Sequence, residues 1–222
     1  HELGQNFSKA FDITFSDEKN ELQHPYQTSW GVSTRLVGMI IMAHGDDKGL
    51  KLPPKLAPHQ IVIVPIIPND KDKDSVMKVV NQLNDSLSEF RVIIDDRSEV
   101  SPGFKFNEWE QKGVPLRVEV GPKDIEKTTI LVSRRDDESK NSYPMDNVQN
   151  TLKKLLDEIQ DNLYKNSENT LKENTTHVES FSELIEVLNS KKGFVSCFWK
   201  ENKEDELKIK EETSATLRCY PL

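Results

Sequence analysis

Ile61-Val62-Ile63-Val64-Pro65-Ile66-Ile67 is an unbroken apolar run dominated by β-branched residues. Such a run, with no polar alternation, fits a strand covered on both faces, as in the middle of a parallel or mixed sheet. Immediately downstream the period changes. Asp74–Phe90 carries apolar residues at 76, 79, 80, 83, 87 and 90, which is helical spacing. Val92–Ile94 predicts a short strand, Phe104–Gln111 a short helix closed by Gly113, and Leu116–Val120 and Thr129–Val132 two further strands. Val148, Leu152, Leu155, Leu156, Ile159 and Leu163 mark one stripe of a long amphipathic helix. Strands alternating with helices predict an α/β layer of about 110 residues with a mixed sheet.

The flanks read differently. Upstream, Phe11-Asp12-Ile13-Thr14-Phe15 alternates as a half-buried strand does, Ser16–Pro25 reads as a hairpin-type loop, and Tyr26–Ser29 as a strand leading into Trp30-Gly31. Val32–His44 is mostly apolar and predicts a buried helix, ended by Asp46-Asp47-Lys48-Gly49 and blocked by Leu52-Pro53-Pro54. Downstream, composition leaves Asn166–Asn174 open between the solvated end of the long helix and a linker. Ser180–Ser190 predicts a helix capped by Ser180 or Ser182, Phe194–Trp199 a strand, Glu204–Glu212 a charged helix and Thr216–Tyr220 a strand: a small α+β unit.

The chain has 222 residues, 35% hydrophobic and 31% charged, with a formal net charge of −8. That charge argues against broad, sequence-independent binding of nucleic acid, which needs a basic face, but leaves room for a local cationic patch. The longest apolar stretch, near Leu36–Met42, is far too short to span a bilayer. Glu2, Gln5 and Asn6 stand where a signal peptide would need its apolar core, and no methionine precedes His1, so the chain reads as opening inside a longer protein. Cys197 and Cys219 cannot form a disulfide framework, and a reducing cytoplasm is the expectation.

Three segments resemble the prolyl-tRNA synthetase family of the archaeal and eukaryote-like type. The first is Leu3-Gly4-Gln5-Asn6-Phe7-Ser8-Lys9-Ala10-Phe11. The second, Gln27-Thr28-Ser29-Trp30-Gly31-Val32-Ser33-Thr34-Arg35 with Gly45-Asp46-Asp47-Lys48-Gly49-Leu50, is similar to the third signature motif of class II aminoacyl-tRNA synthetases. The third runs from Ser101-Pro102-Gly103-Phe104 to Gly121-Pro122-Lys123-Asp124 and resembles the anticodon-binding domain of this group. The resemblance implies part of a class II antiparallel-sheet catalytic core over 1–55, an anticodon-binding α/β domain over 56–165, and a small α+β C-terminal domain over 166–222. It also implies ATP-dependent activation of L-proline and transfer to proline tRNA, with magnesium on the phosphates, by a parent enzyme that is homodimeric. This stretch alone would be inactive, because the first two motifs lie outside it. A non-catalytic tRNA-binding module or a synthetase-like regulatory paralog is the alternative.

Residue by residue, the resemblance puts Arg35 on the ATP polyphosphate, where a guanidinium would stabilise departing pyrophosphate. Ser33 and Thr34 would contact ATP, although both also suit helix capping. Gly31 would let the backbone pass close to substrate, Trp30 would wall the proline pocket, and His1 would hydrogen-bond bound proline. Glu110, Arg117, Lys123, Asp124 and Lys140 would read the anticodon, since carboxylates and cations suit the edges of guanine. A solvated charged face is the plainer reading of such residues. Asp95-Asp96-Arg97, at a strand end, stands where α/β sheets present binding residues.

Relatives of this type often carry a C-terminal zinc site that starts with two cysteines separated by four residues. Lys200 and Asp205 stand there instead, and an ammonium cannot ligate zinc, so no metal is expected. Phe181, Leu184, Leu188, Phe194, Val195, Phe198, Trp199, Ile209 and Leu217 would supply a core in its place. A rebuilt site from His177, Cys197, Asp205 and Cys219 has acceptable donors, but its spacing fits no known ligand pattern.

Overall fold

The computed structural model describes residues 1–191, 193–200 and 202–219. The chain divides into two compact units, His1–Ala43 and His44–Leu222.

In the first unit, β1 (Glu2–Gly4) pairs antiparallel with β4 (Gln27–Thr28), and β2 (Phe15–Ser16) with β3 (Leu22–Gln23). Asp17 shapes the turn between β2 and β3 by accepting from the backbone N–H of Lys19 and Glu21, both at 2.9 Å. The buried Ser8 lies on α1 (Asn6–Ala10); its hydroxyl donates to the carbonyls of Gln5 and Pro25. Helix α2 (Arg35–His44) closes the unit. Two expectations fail here. Phe11–Thr14 is not a strand, because α1 ends in a turn at Phe11 and Asp12, and Asp12 takes a left-handed φ of 51°. Nor is α2 buried: none of its residues is, and Met42 is 80% exposed, because no apolar layer of this unit covers it.

The larger unit is built on β5 (Ile61–Pro65), whose five residues are all buried. It continues through α3 (Lys73–Ser86), β6 (Val92–Ile94), α4 (Pro102–Gln111), β7 (Leu116–Val120), α5 (Pro122–Glu126), β8 (Thr129–Arg134), β9 (Lys140–Pro144) and α6 (Val148–Glu173). The sheet order is β6-β5-β7-β8-β9, parallel across β6, β5 and β7 and antiparallel outward to β9, so it is mixed as predicted. The apolar run has two faces to fill. Ile61 and Ile63 join Val76 and Val80 of α3 and Leu152, Leu156 and Ile159 of α6 in the main core. Val62 and Val64 point the other way, to Trp109 on α4 and to Val114. Helix α6 extends to Glu173 with Asn174 as its C-cap, so the stretch 166–174 is the end of the helix and no linker. Strand β9 and the short α5 carry no clear apolar period and were not foreseen. Pro65 closes β5 at its end, where a missing ladder donor does least harm.

The segment after α2 is fastened to this sheet. Leu50 and Leu52 donate to the carbonyls of Gln111 and Gly113 at 3.0 and 3.2 Å. The approach is so close that a Cβ on Gly113 (φ +72°) would stand 2.6 Å from that of Leu50, and one on Gly49 (φ +135°) 2.6 Å from Cα of Gln111. Only glycine satisfies both the left-handed backbone and the contact.

Beyond α6, β10 (Thr175–Val178) pairs parallel with β11 (Phe194–Cys197), crossed by α7 (Phe181–Ser190) and followed by α8 (Lys203–Thr213). Ser180 caps α7, accepting from the N–H of Glu183. The expected strand at Thr216–Tyr220 does not form over Thr216–Cys219, and Tyr220 lies outside the described residues. Of the expected core set, Leu184 and Ile209 are buried with Val178, while Phe181, Phe194, Phe198 and Leu217 are exposed. Two short strands and two helices enclose too little volume for every aromatic. Among the described residues, no helix is long and apolar enough to cross a membrane.

Candidate nucleic-acid interface

The sheet sets a row of polar side chains on the face that carries α4. Arg117 on β7 pairs with Ser133 on β8, and Ser133 pairs with Lys140 on β9, so three neighbouring strands present them side by side. Glu110, in the last turn of α4, lies beside this row. Together Glu110, Arg117, Ser133 and Lys140 line an open pocket of about 190 Å³, with Trp109 and Val114 as its apolar wall and Lys48, Arg134, Arg135 and Glu138 around it. Lys140 is therefore a strand residue, fixed in register, and not part of a loop.

Glu119, two residues from Arg117 on the same strand, is buried at 5% exposure. It accepts from Arg117 Nε and Nη2 at 3.3 and 3.2 Å and from Lys140 Nζ at 3.0 Å. The guanidinium of Arg117 lies over the Phe106 ring, 4.2 Å from its centroid. Arg135 braces the pocket from behind: it takes Asp46 in a two-pronged ion pair at 3.0 and 2.5 Å and donates to the Glu110 carbonyl at 3.0 Å. That guanidinium, with Lys51, holds the Asp46 carboxyl far below the usual carboxylate range. Asp46 thereby anchors a segment whose Lys48 reaches Glu138 at 2.5 Å and Glu110 at 3.8 Å.

Three of the five residues predicted to read bases thus meet at one pocket, and two do not. Lys123 is exposed on the first turn of α5 and does not line it. Asp124 spends a carboxylate oxygen on the Gly121 N–H at 2.9 Å, which is capping. Asp95 and Arg97 are likewise engaged internally. Asp95 is bound by Arg97 at 2.7 and 2.8 Å and by Trp109 Nε1 at 2.7 Å, and Arg97 also pairs with Glu108. Arg97, first, and then the Trp109 donor hold the Asp95 carboxyl down to about 2 against desolvation. Glu119, Phe106, Arg135 and Asp46 were missed by sequence reasoning. For Glu119 a signal existed: Arg117 and Glu119 alternate with Leu116, Val118 and Val120, so period two puts both charges on one face.

In the first unit, His1 exchanges backbone hydrogen bonds with Ser29 at 2.7 and 2.9 Å, which sets it beside Trp30-Gly31. Ser33 Oγ accepts from the Arg35 N–H at 3.4 Å, so the hydroxyl caps the start of α2. Arg35 and Thr34 are exposed, Gly31 has open space where a Cβ would stand, and Trp30 is 88% exposed.

The C-terminal cavity, about 390 Å³, contains Cys197, Lys200 and Asp205 in its lining. His177 bonds Ser196 Oγ and meets the edge of Phe198. Among the described residues, no three His, Cys, Asp or Glu side chains converge as metal ligands.

Two stretches of the chain match known families. Residues 60–155 match the family described as "Anticodon binding domain", and residues 181–222 the one described as "Prolyl-tRNA synthetase, C-terminal". The proline–tRNA ligase of Roseiflexus sp. (strain RS-1) is 49% identical over 226 residues, covering all of this chain and 47% of that protein. The chain belongs to the prolyl-tRNA synthetase family. The proline–tRNA ligase of Alkaliphilus oremlandii (strain OhILAs) is also 49% identical, with 46% of its length covered. The chain spans about half the length of the curated relatives it matches. A crystal structure of prolyl-tRNA synthetase from Cryptosporidium parvum, complexed with L-proline and AMP, superposes with a TM-score of 0.88 at 44% identity, over 96% of this chain and 46% of that one.

Proposed function

We propose that this chain provides the anticodon-reading surface, and one strip of the aminoacylation site, of a proline–tRNA ligase. The observation that carries the reading is the gathering of Glu110, Arg117 and Lys140 at one open pocket. Proline anticodons carry two guanines. A guanine offers N–H donors to a carboxylate and O6 and N7 acceptors to Arg or Lys, so one carboxylate beside two cations suits it. Lys123, exposed and outside the pocket, is assigned to RNA beyond the bound base.

The chemistry belongs to the whole enzyme, in which proline and ATP form prolyl-adenylate and pyrophosphate and the tRNA ribose then attacks the adenylate. The Cryptosporidium parvum relative is complexed with L-proline and AMP, and with halofuginone and AMPPNP, which supports ATP as substrate. Arg35 would stabilise charge on the leaving pyrophosphate, with Ser33 and Thr34 at the nucleotide and His1, Trp30 and Gly31 at the proline. Magnesium would accompany the phosphates; no side chain of this chain is assigned to it. The whole enzyme is proposed to be a cytoplasmic homodimer.

The test is to change Glu110 or Lys140 to Ala in the full-length enzyme and follow two reactions. Charging of proline tRNA should fall, while proline-dependent exchange of pyrophosphate into ATP without tRNA should hold. Equal loss in both reactions would mean folding damage and would remove the pocket from tRNA recognition. Retained tRNA binding without any exchange in the wild type would favour a non-catalytic binding module.

A further inference from the structure

Glu119 is a buried carboxylate with no task in the hydrophobic core. Its oxygens are taken up by two partners: Arg117 on its own strand and Lys140 two strands away, the latter at 2.9 and 3.0 Å. Phe106 adds a flat surface beneath them, 4.2 Å from the Arg117 guanidinium and 5.7 Å from Lys140 Nζ. Ser133 Oγ takes a second bond from Arg117 Nη2 at 3.2 Å. Nε and Nη2 of Arg117 are thus committed, and no hydrogen bond among the described residues engages Nη1. The guanidinium is held by two hydrogen-bond partners over the Phe106 ring while Arg117 lines the pocket.

We propose that Glu119, with the Phe106 ring, is the positioning residue that aligns Arg117 and Lys140 as paired donors and so makes the pocket select guanine over adenine. The inference rests on the anticodon reading above. The carboxylate is too buried to touch a base and already accepts from both cations, so it acts through them. Long cationic side chains otherwise lose rotamer freedom when a ligand binds, and a pre-formed arrangement removes that penalty. Two fixed donors donate to the O6 of guanine and reject adenine, which presents an amino donor at the same position. A freely moving lysine and arginine would still attract phosphate but would discriminate weakly, since an unplaced cation recognises charge and not a base edge.

The experiment uses the full-length enzyme, a proline tRNA transcript, and transcripts in which one anticodon guanine is replaced by adenine. Wild type should prefer guanine strongly. Glu119→Gln, nearly identical in shape, should raise KM for the guanine transcript about tenfold and shrink the guanine-over-adenine preference to within about threefold, as expected when one well-placed base contact is lost. Phe106→Leu should do the same more weakly, and Phe106→Tyr, which keeps the ring, should restore the preference. A merely structural role predicts equal losses on both transcripts with the preference intact, and that result would overturn the proposal. So would an unchanged KM and preference in both Glu119→Gln and Phe106→Leu. If Glu119→Gln does not fold, the Phe106 pair decides alone. If Arg117→Ala and Lys140→Ala also leave the preference untouched, the anticodon reading itself falls, a different outcome from failure of Glu119 alone.

Discussion

Ile63 and Met42 stand in runs of comparable apolarity, yet Ile63 is fully buried and Met42 is 80% exposed. The contrast extends to their whole regions. The sheet region turns each apolar period into a covered surface: β5 against α3 and α6 on one face and against α4 on the other. In the first unit the only buried residue is a serine, and Phe11, Trp30, Val37 and Met42 are largely exposed. An apolar pattern therefore states what a segment is suited to bury and is silent on whether the cover lies in the same unit. A helix apolar nearly all round, as α2 is, belongs inside a larger core. The residues assigned to ATP and proline lie in this thin unit, and those assigned to the anticodon lie on the strands and helices of the well-packed region.

The largest effect expected from either region comes from the thin one. Arg35→Ala in the full-length enzyme should slow adenylate formation by orders of magnitude, because a donor that stabilises transition-state charge typically contributes ~3–4 kcal/mol. Pyrophosphate exchange within about threefold of wild type would remove Arg35 from the chemistry. Stability should show the reverse contrast. Ile63→Ala removes a fully buried side chain and should destabilise the sheet region by about 3 kcal/mol in denaturant unfolding. Met42→Ala in this same chain should change it by less than about 0.5 kcal/mol. Similar losses for the two would show that α2 is covered after all.

How much was legible follows from what makes each feature. The strands and helices of the sheet region announced themselves because burial on a fixed period leaves a fixed pattern, as in Ile61–Ile67 and the Val148–Leu163 stripe. Strand β9, Lys-Asn-Ser-Tyr-Pro, left none: it lies at the sheet edge, and only Tyr143 and Pro144 are apolar. The site was legible in part for a related reason. Glu110, Arg117 and Lys140 came from the resemblance, and strand register then placed Arg117 and Lys140 on either side of Ser133. The carboxylate that joins them could be seen only as the second member of an alternation whose first member had been noticed. Asp124 and Asp95 went the other way. Both looked available in the sequence, and both are engaged by neighbouring donors that folding brings to them.

Asp95 gives a smaller, pH-dependent test of that internal engagement. Its carboxyl titrates at about 2 in the folded protein against an ordinary 3.8, mainly through Arg97. A depressed folded-state value means that the stabilisation is complete above the ordinary value and is lost as pH falls toward 2. Asp95→Asn should therefore destabilise the sheet region by about 2 kcal/mol at neutral pH. The gap to wild type should narrow steadily between pH 4 and pH 2. A gap independent of pH would mean that the asparagine disturbs packing around Trp109 rather than removing a charge pair.

The smallest expected effect is none at all, and it concerns the region beyond α6. A structural zinc supplies much of the folding energy of a small domain, so a chelator unfolds a domain that depends on one. The family resemblance implies thiolates at the positions of Lys200 and Asp205, and an ammonium would offer zinc no lone pair. His177 is turned to Ser196 and Phe198. What remains to hold β10, β11, α7 and α8 together is the packing of Val178, Leu184 and Ile209, with Leu188, Val195 and Trp199 half-covered around them. Fully buried, each large apolar side chain contributes ~1.5–3 kcal/mol, so three of them with partial help from the rest can sustain a small unit without metal. Protein purified without added metal should hold well under one zinc per chain by elemental analysis, and its melting should be the same with and without chelator. Leu184→Ala, by contrast, should lower the melting of this region, since it removes one of the three buried side chains. Stoichiometric zinc together with a melting point that drops in chelator would show that the packing of these residues is secondary and that a ligand set has been rebuilt from donors elsewhere in the fold.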